Sequence, residues 1–429
     1  MIQTQKSSMK ITRITTEYFT KIKNNPSIIY YLLSELISKL IPVINVFLFL
    51  YFLSIEEFGE LSNLNVIYST AALFISNSVH TYYISQYYEM SKVKRGVVIR
   101  SGILISFLIT ILLFFIGILF LRISSTISFI NTSFLFFLLS ASFINSFSRI
   151  FFNHLRINSK AVKYFRYTLI FNLFLLITTF QLLYFFNFKT DARVYSIFYA
   201  NIILFFIGIY VLRKYLLGKI LWPDFKEIFF FGIKLIPHNL SFFLKDGAYK
   251  FLITAYIGIT VNAYFSLIIF HVFVVQSFNV AYFNYYSPIL IKKISNKNFT
   301  INSLKKELFN YGLMISLISL MAGISLYIYI YYFKLDYHAG LTLIKYIIIY
   351  SIFYSITSFT SIIFFVKNKP EIISIITFLT TLIAIIITFL FLICGIKKIE
   401  IILFIMILSA LFQFYISYHK GFKLLINDN

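Results

Sequence analysis

Cysteine, tryptophan and acidic residues are the scarce types in this 429-residue chain: one cysteine, one tryptophan, and 15 aspartates and glutamates against 38 lysines and arginines. The single Cys394 excludes an internal disulfide and a cysteine metal cluster. Charged residues of both signs make up only 12% of the chain, too few for the solvated surface of a soluble protein of this length. Long polar connections are missing too: no stretch between apolar runs reaches 25 residues, which leaves no room for a soluble catalytic domain. No glycine-rich phosphate loop, metal-ligand cluster or nucleophile elbow occurs, so ATP hydrolysis within the chain is not supported. The N-terminal segment has no short apolar core followed by a small-residue cleavage site, so the first apolar stretch is expected to stay as a helix.

What the chain has is hydrocarbon. Sixty per cent of residues are hydrophobic and mean hydropathy is +0.86, values of a polytopic membrane protein. Runs such as ILISFLITILLFFIGILFL are apolar on all sides, which excludes the alternation of barrel strands and predicts an all-α bundle. The pattern predicts twelve spans: 28–53, 61–86, 101–121, 129–152, 167–187, 195–212, 228–256, 262–290, 309–332, 339–365, 372–394 and 400–419.

An even number of crossings puts both termini on one side. That side receives 26 lysines and arginines and the other six, which predicts cytoplasmic termini and a cytoplasmic-membrane location. The net charge of +23 is thereby explained by loops bordering a membrane, with no nucleic acid among the expected partners. Six cations remain inside spans: Lys39, Arg149, Lys234, Lys245, Lys250 and Lys345. Only Glu35 and Asp246 among the acids lie within spans away from their ends. Each cation at the centre of a span costs about 2.5–3.5 kcal/mol on insertion scales, so such residues face a polar cavity or a partner.

Lys-Leu-Ile-Pro occurs twice, at Lys39–Pro42 and Lys234–Pro237, with six crossings between. Both copies enter the membrane in one direction, which predicts two parallel six-helix repeats, 1–218 and 219–429, hinged by Pro42 and Pro237. In the seventh span Lys234, His238, Ser241 and Lys245 follow a helical period and make one polar stripe. Asp246 and Lys250, like Glu35 and Lys39, have the four-residue spacing of an ion pair, structural or functional. Asn145, Arg149 and Asn153 form a narrow polar face in the fourth span. His80 and His271 are each open to two readings, an interhelix hydrogen bond or a proton relay.

A proline-bearing first helix ending in FG (PVINVFLFLYFLSIEEFGELS), twelve spans in two halves, and the second-half sequence FFFGIKLIPHNLSFFLKDGAYKFLITAYIG resemble the Wzx-type O-antigen flippases. These belong to the polysaccharide-exporter group that includes the MATE drug exporters and lipid II flippases; the two additional helices usual in lipid II flippases are absent here. The resemblance implies a MATE/MOP-like fold without enzymatic activity. It also implies alternating access for an undecaprenyl pyrophosphate-linked oligosaccharide, a polysaccharide polymerase and a chain-length regulator as neighbours, and no cofactor beyond a proton or sodium gradient. Six cations, three histidines and two acids within the spans predict an electropositive lumen, which suits a pyrophosphate better than a cationic drug. The expected substrate residues are Lys39, Arg149, Lys234, His238, Lys245 and Lys250; Glu35, Asp246, His80 and His271 are the candidates for ion coupling. A MATE-type exporter is the alternative. A membrane glycosyltransferase or polymerase using Glu56, Glu57 and Glu60 is less favoured, because the connection that carries them is only about seven residues long.

Overall fold

A chain this apolar must close its backbone hydrogen bonds within its own segments, since hydrocarbon offers no partners. The computed structural model describes residues 26–123, 132–294, 301–366 and 369–426, and among these no strand occurs. Eleven helical spans among them are long and apolar enough to cross a bilayer. The protein is a multi-pass helical membrane protein, as expected.

The remaining predicted span, 61–86, is an interrupted helix. Two consecutive residues with positive φ, Asn77 (41°) and Ser78 (52°), separate its two parts. Asparagine and serine tolerate this left-handed region because their short side chains bond locally.

The chain divides into two compact units, one comprising the chain up to Phe52 with Ala71–Ile233, the other Leu53–Thr70 with everything from Lys234 onward. The first unit contains α1 (Pro26–Phe52) and the end of α2 (Ile55–Ser76), followed by α3 (Val79–Ser85), α4 (Lys92–Ile123) and α5 (Thr132–Ile157). It continues with α6 (Ala161–Tyr184), α7 (Asp191–Leu216) and α8 (Trp222–Lys234). Helix α1 packs on α6, and α5 packs on α4 and α7. Their core is built from Tyr83, Ile99, Phe147, Ile150, Phe151 and Leu212, with the Ser106 and Ser146 hydroxyls 2.8 Å apart between α4 and α5. Helix α8 approaches the break after α2 so closely that a Cβ on Gly232 would lie 2.2 Å from the Asn77 side chain.

The second unit runs through α9 (Ile236–Phe242), a π-helical turn (Phe243–Ala248), α10 (Tyr249–Tyr256) and α11 (Ile259–Ile294). It then has α12 (Ile301–Phe333), a 3-10 segment (Leu335–Leu343), α13 (Ile344–Val366), α14 (Pro370–Ile393) and α15 (Ile399–Ile426). Helix α13 is central, packing on α11, α12 and α15. The first part of α2 belongs here. A Cβ on Gly59, the glycine of the FG pair, would meet the Ile259 carbonyl at 2.5 Å, so this contact requires glycine. Around it Asn262 Nδ2 donates to Gly59 O and to Asn63 Oδ1, both at 3.1 Å.

Predicted as one helix, 228–256 is instead segmented. Pro237 lies in the first turn of α9, where its missing N–H costs nothing, and the chain breaks just before it at Leu235. Pro42, by contrast, sits inside an uninterrupted α1. Large apolar side chains are strongly exposed on the outer faces of both units, as Phe115 and Phe206 (65% each) and Met321 (69%) illustrate, which in a membrane is contact with lipid.

Candidate functional site

The break at Leu235 and the π-helical turn interrupt the predicted stripe. Lys234 ends α8, Ser241 lies on α9, and Lys245 lies inside the π turn, where each residue rotates through a smaller angle than in an α-helix. Lys234 is exposed, Ser241 is buried and Lys245 is 9% exposed, so these three residues do not share one environment. The side chains of His238 and Asp246 lie outside the described ones.

Lys245 occupies the interior of the second unit. Its Nζ lies 4.5 Å from the centre of the Tyr354 ring on α13, a cation–π contact at low exposure. A cavity of about 10 Å³, room for about one water, is bounded by Lys245, Tyr249, Tyr350, Thr381, Ser409 and Gln413. Ser409 Oγ donates to the Thr380 carbonyl (3.2 Å) and Gln413 Nε2 to Thr377 Oγ1 (2.8 Å), which fixes the α14–α15 wall. An open groove of about 440 Å³ lies elsewhere in this unit beside Lys305, lined by Phe309, Leu313, Phe414 and Tyr418; its walls suit hydrocarbon, not sugar.

Two arginines of the first unit act on His80 from α5, Arg149 half-buried and Arg156 exposed. Arg149 and Arg156 both lie within electrostatic reach of this histidine, whose Nδ1 is buried without a hydrogen-bond partner among the described residues. The left-handed pair Asn77–Ser78 redirects the chain at this point and starts α3, on which His80 sits. Seven residues apart, Arg149 and Arg156 project from one face of α5 two turns from each other. Tyr31 on α1 donates to the Arg156 carbonyl (3.3 Å), and Tyr164 on α6 lies within electrostatic reach of both Glu35 and Arg156. Arg156 lies beyond the predicted fourth span (129–152), among the 26 cations that the sequence assigns to the cytoplasmic side. Its seven-residue offset from Arg149 was the available signal.

The other predicted residues are dispersed. Glu35 is exposed and Lys39 half-buried on α1; Lys250 is half-buried on α10; Lys345 is exposed with its Nζ 5.2 Å from the Tyr346 ring. His271 is buried, its Nε2 3.1 Å from Ser319 Oγ and 3.3 Å from Ser351 Oγ, tying α11 to α12 and α13. Gln276 Nε2 extends this polar seam to Ser355 Oγ at 2.9 Å. A second interior histidine, His154, accepts or donates a 2.7 Å bond with Tyr83 Oη and had drawn no attention in the sequence.

No protein-family model and no curated protein matches the sequence. Solved structures do match in fold. An inward-facing multidrug-resistance MATE transporter of the MOP superfamily superposes with a TM-score of 0.63 at 16% identity, over 92% of this chain and 94% of that one. The outward-facing conformation of a multidrug-resistance MATE transporter of this superfamily gives 0.57 at 14% identity, with coverage of 92% and 94%. A MOP-superfamily transporter from Pyrococcus furiosus, described as having a binding pocket of reverse polarity, gives 0.58 at 14% identity, with coverage of 93% and 96%. The chain therefore has the fold of the MATE/MOP transporters.

Proposed function

We propose that the protein flips an anionic lipid-linked glycan, an undecaprenyl pyrophosphate-linked O-antigen repeat unit, from the cytoplasmic to the outer leaflet of a bacterial inner membrane by alternating access. The observation that carries this reading is the sign of the intramembrane charge: six cations within the predicted spans against two acids away from span ends, with Arg149, and Arg156 just beyond its span, within electrostatic reach of His80. A guanidinium presents a planar fork of donors that matches a phosphate, and two of them with an imidazole suit a doubly charged pyrophosphate. Lys39, Lys234, His238, Lys245 and Lys250 complete the proposed cationic set, of which Lys245 acts from within its own unit, because its cavity holds about one water. The lipid tail stays in hydrocarbon, which the open lipid-facing surfaces allow.

Coupling to a proton or sodium gradient falls first to Glu35, Asp246 and His80; His271 is the lesser candidate, since its Nε2 is engaged with Ser319 and Ser351. Pro42 and Pro237 serve as hinges in this scheme. The 26 to 6 distribution of lysine and arginine favours cytoplasmic termini, so the glycan would be taken from the side on which it is assembled and passed to a polymerase and chain-length regulator on the other.

The second reading is a multidrug exporter, the function named for the neighbours in fold. Charge favours the first. Cationic drugs need acids, and a neighbour with the same fold is described as having reversed pocket polarity, so the fold does not dictate the sign. In liposomes, protein-dependent exposure of the lipid-linked glycan to an external glycosidase supports flipping. Efflux of cationic dyes without glycan exposure supports the exporter.

A further inference from the structure

The only tryptophan of the chain, Trp222, stands at the start of α8, directly after an irregular connection, and is 62% exposed. Three side chains before it are exposed as well: Lys219, Ile220 and Leu221. A connection with this much exposed apolar surface would collapse or wander unless held. Arg100 holds it, with Nη1 donating at 2.7 Å to both the Tyr215 and Leu217 carbonyls and Nη2 at 2.9 Å to that of Lys219. The Tyr215 carbonyl is one of those left open at the C-terminus of α7, and the Leu217 and Lys219 carbonyls belong to the connection, so one guanidinium caps the helix and fixes the segment that follows it.

Helix α8 is then sorted into two faces. Phe225, Ile228 and Gly232 are buried, while Trp222, Lys226, Phe230 and Ile233 are exposed at the spacing of one stripe. The acids of this helix are paired within the protein: Glu227, 54% exposed, accepts from Tyr82 Oη at 2.6 Å, and Asp224 and Glu227 lie 3.7 Å and 4.0 Å from Lys94 Nζ. The one charged side chain of the outer stripe itself is Lys226.

Side-chain direction sets its depth. Lys226 begins one turn, about 6 Å, further along the helix than Trp222. Its ammonium nevertheless returns to 5.5 Å from the indole ring, reaching back toward the helix start as a snorkelling lysine does. Indole and ammonium therefore lie together near the start of the helix, with Phe230 and Ile233 one to two turns further along it. Indole rings settle at the headgroup boundary, and ammonium groups there meet phosphates.

We propose that Trp222, Lys226 and Lys219 form a binding site for an anionic phospholipid of the cytoplasmic leaflet, its phosphate between the two ammonium groups and its acyl chains along Phe230 and Ile233. The site is built on the Arg100-held connection and is independent of what the protein transports. It gives α8, which leads into Pro237 and the π turn, a fixed anchor at the membrane surface.

The single tryptophan makes the test direct. The full chain is reconstituted in phosphatidylcholine vesicles containing a small fraction of brominated phosphatidylglycerol or, separately, brominated phosphatidylcholine, and quenching of Trp222 fluorescence is read. Phosphatidylglycerol is expected to quench about threefold or more effectively at equal mole fraction, from attraction by two surface lysines. The advantage should vanish in the Lys219→Gln/Lys226→Gln double variant and shrink in 1 M salt. Equal quenching by the two lipids in the wild-type protein overturns the headgroup assignment. Absence of quenching by either overturns lipid contact altogether and turns the stripe into a surface for a protein partner. A preference that survives in the double variant removes the lysines from the site.

Discussion

The ammonium of Lys245 lies over the face of Tyr354, 4.5 Å from the ring centre, in the interior of the second unit. A cation so placed is stabilised by the ring quadrupole in a low dielectric, where the contact is worth about 2 kcal/mol or more. Tyr354→Leu should therefore lower the stability of the protein in detergent by an amount of that order, whereas Tyr354→Phe, which keeps the ring face, should change it little. Thermal unfolding of the two variants side by side checks this. Equal losses would assign the effect to the hydroxyl.

Gly232 and Asn77 provide a steric test. A methyl group on residue 232 would lie 2.2 Å from the Asn77 side chain, at the left-handed break between α2 and α3. Gly232→Ala should destabilise by about 1–3 kcal/mol, the usual cost of overpacking. Gly312→Ala, where the new methyl would meet Ile356 Cδ1 at an ordinary 3.6 Å, should be neutral or slightly stabilising. A comparison of unfolding midpoints separates the two.

His271, with Ser319 and Ser351, is expected to be structural. His271→Leu removes the imidazole from two buried hydroxyls that remain bonded to each other (2.7 Å) and to the Ile348 carbonyl, and should cost about 1 kcal/mol. His271→Gln, able to donate to the same oxygens, should recover most of it. Transport by the glutamine variant should keep the wild-type dependence on the pH gradient; a lost dependence would return His271 to the ion-coupling residues.

Fold class was legible in the sequence because apolar runs of membrane length carry their own signal, and helices α4, α7 and α14 fall where uninterrupted hydrocarbon predicts them. The breaks were less legible. Asn77–Ser78 reads as two ordinary polar residues until their φ values are known, and the π turn at Phe243–Ala248 has no sequence signature, so the stripe from Lys234 to Lys245 was projected across the break at Leu235 and into the π turn as if on one helix. Interior placement depends on which faces meet. Periodicity placed Arg149 on a narrow polar face with Asn145 and Asn153, but did not place it within electrostatic reach of His80. The FG pair was noted as a motif, and its physical reason, the approach of Gly59 to the Ile259 carbonyl, appears only in three dimensions.

The arginine pair on α5 should act on substrate more than on folding. Arg149→Ala and Arg156→Ala each remove charge-assisted hydrogen bonds worth about 1.5–3 kcal/mol, so each should slow transport roughly tenfold or more with insertion unchanged. Lysine at position 149 should recover only part of the rate, because a point charge replaces a planar fork. Flipping rates normalised to protein recovered in the vesicles give the comparison.

The measurement that bears most directly on the account is glycosidase exposure of an undecaprenyl pyrophosphate-linked oligosaccharide in liposomes. Wild-type protein, the Arg149→Ala/Arg156→Ala double variant and protein-free vesicles are compared under imposed proton and sodium gradients. The account predicts protein-dependent exposure that the double variant loses by about a hundredfold while it remains folded and inserted, the sum of two charge-assisted contacts. Exposure at wild-type rates in the double variant, or none with wild-type protein under either gradient, would contradict it.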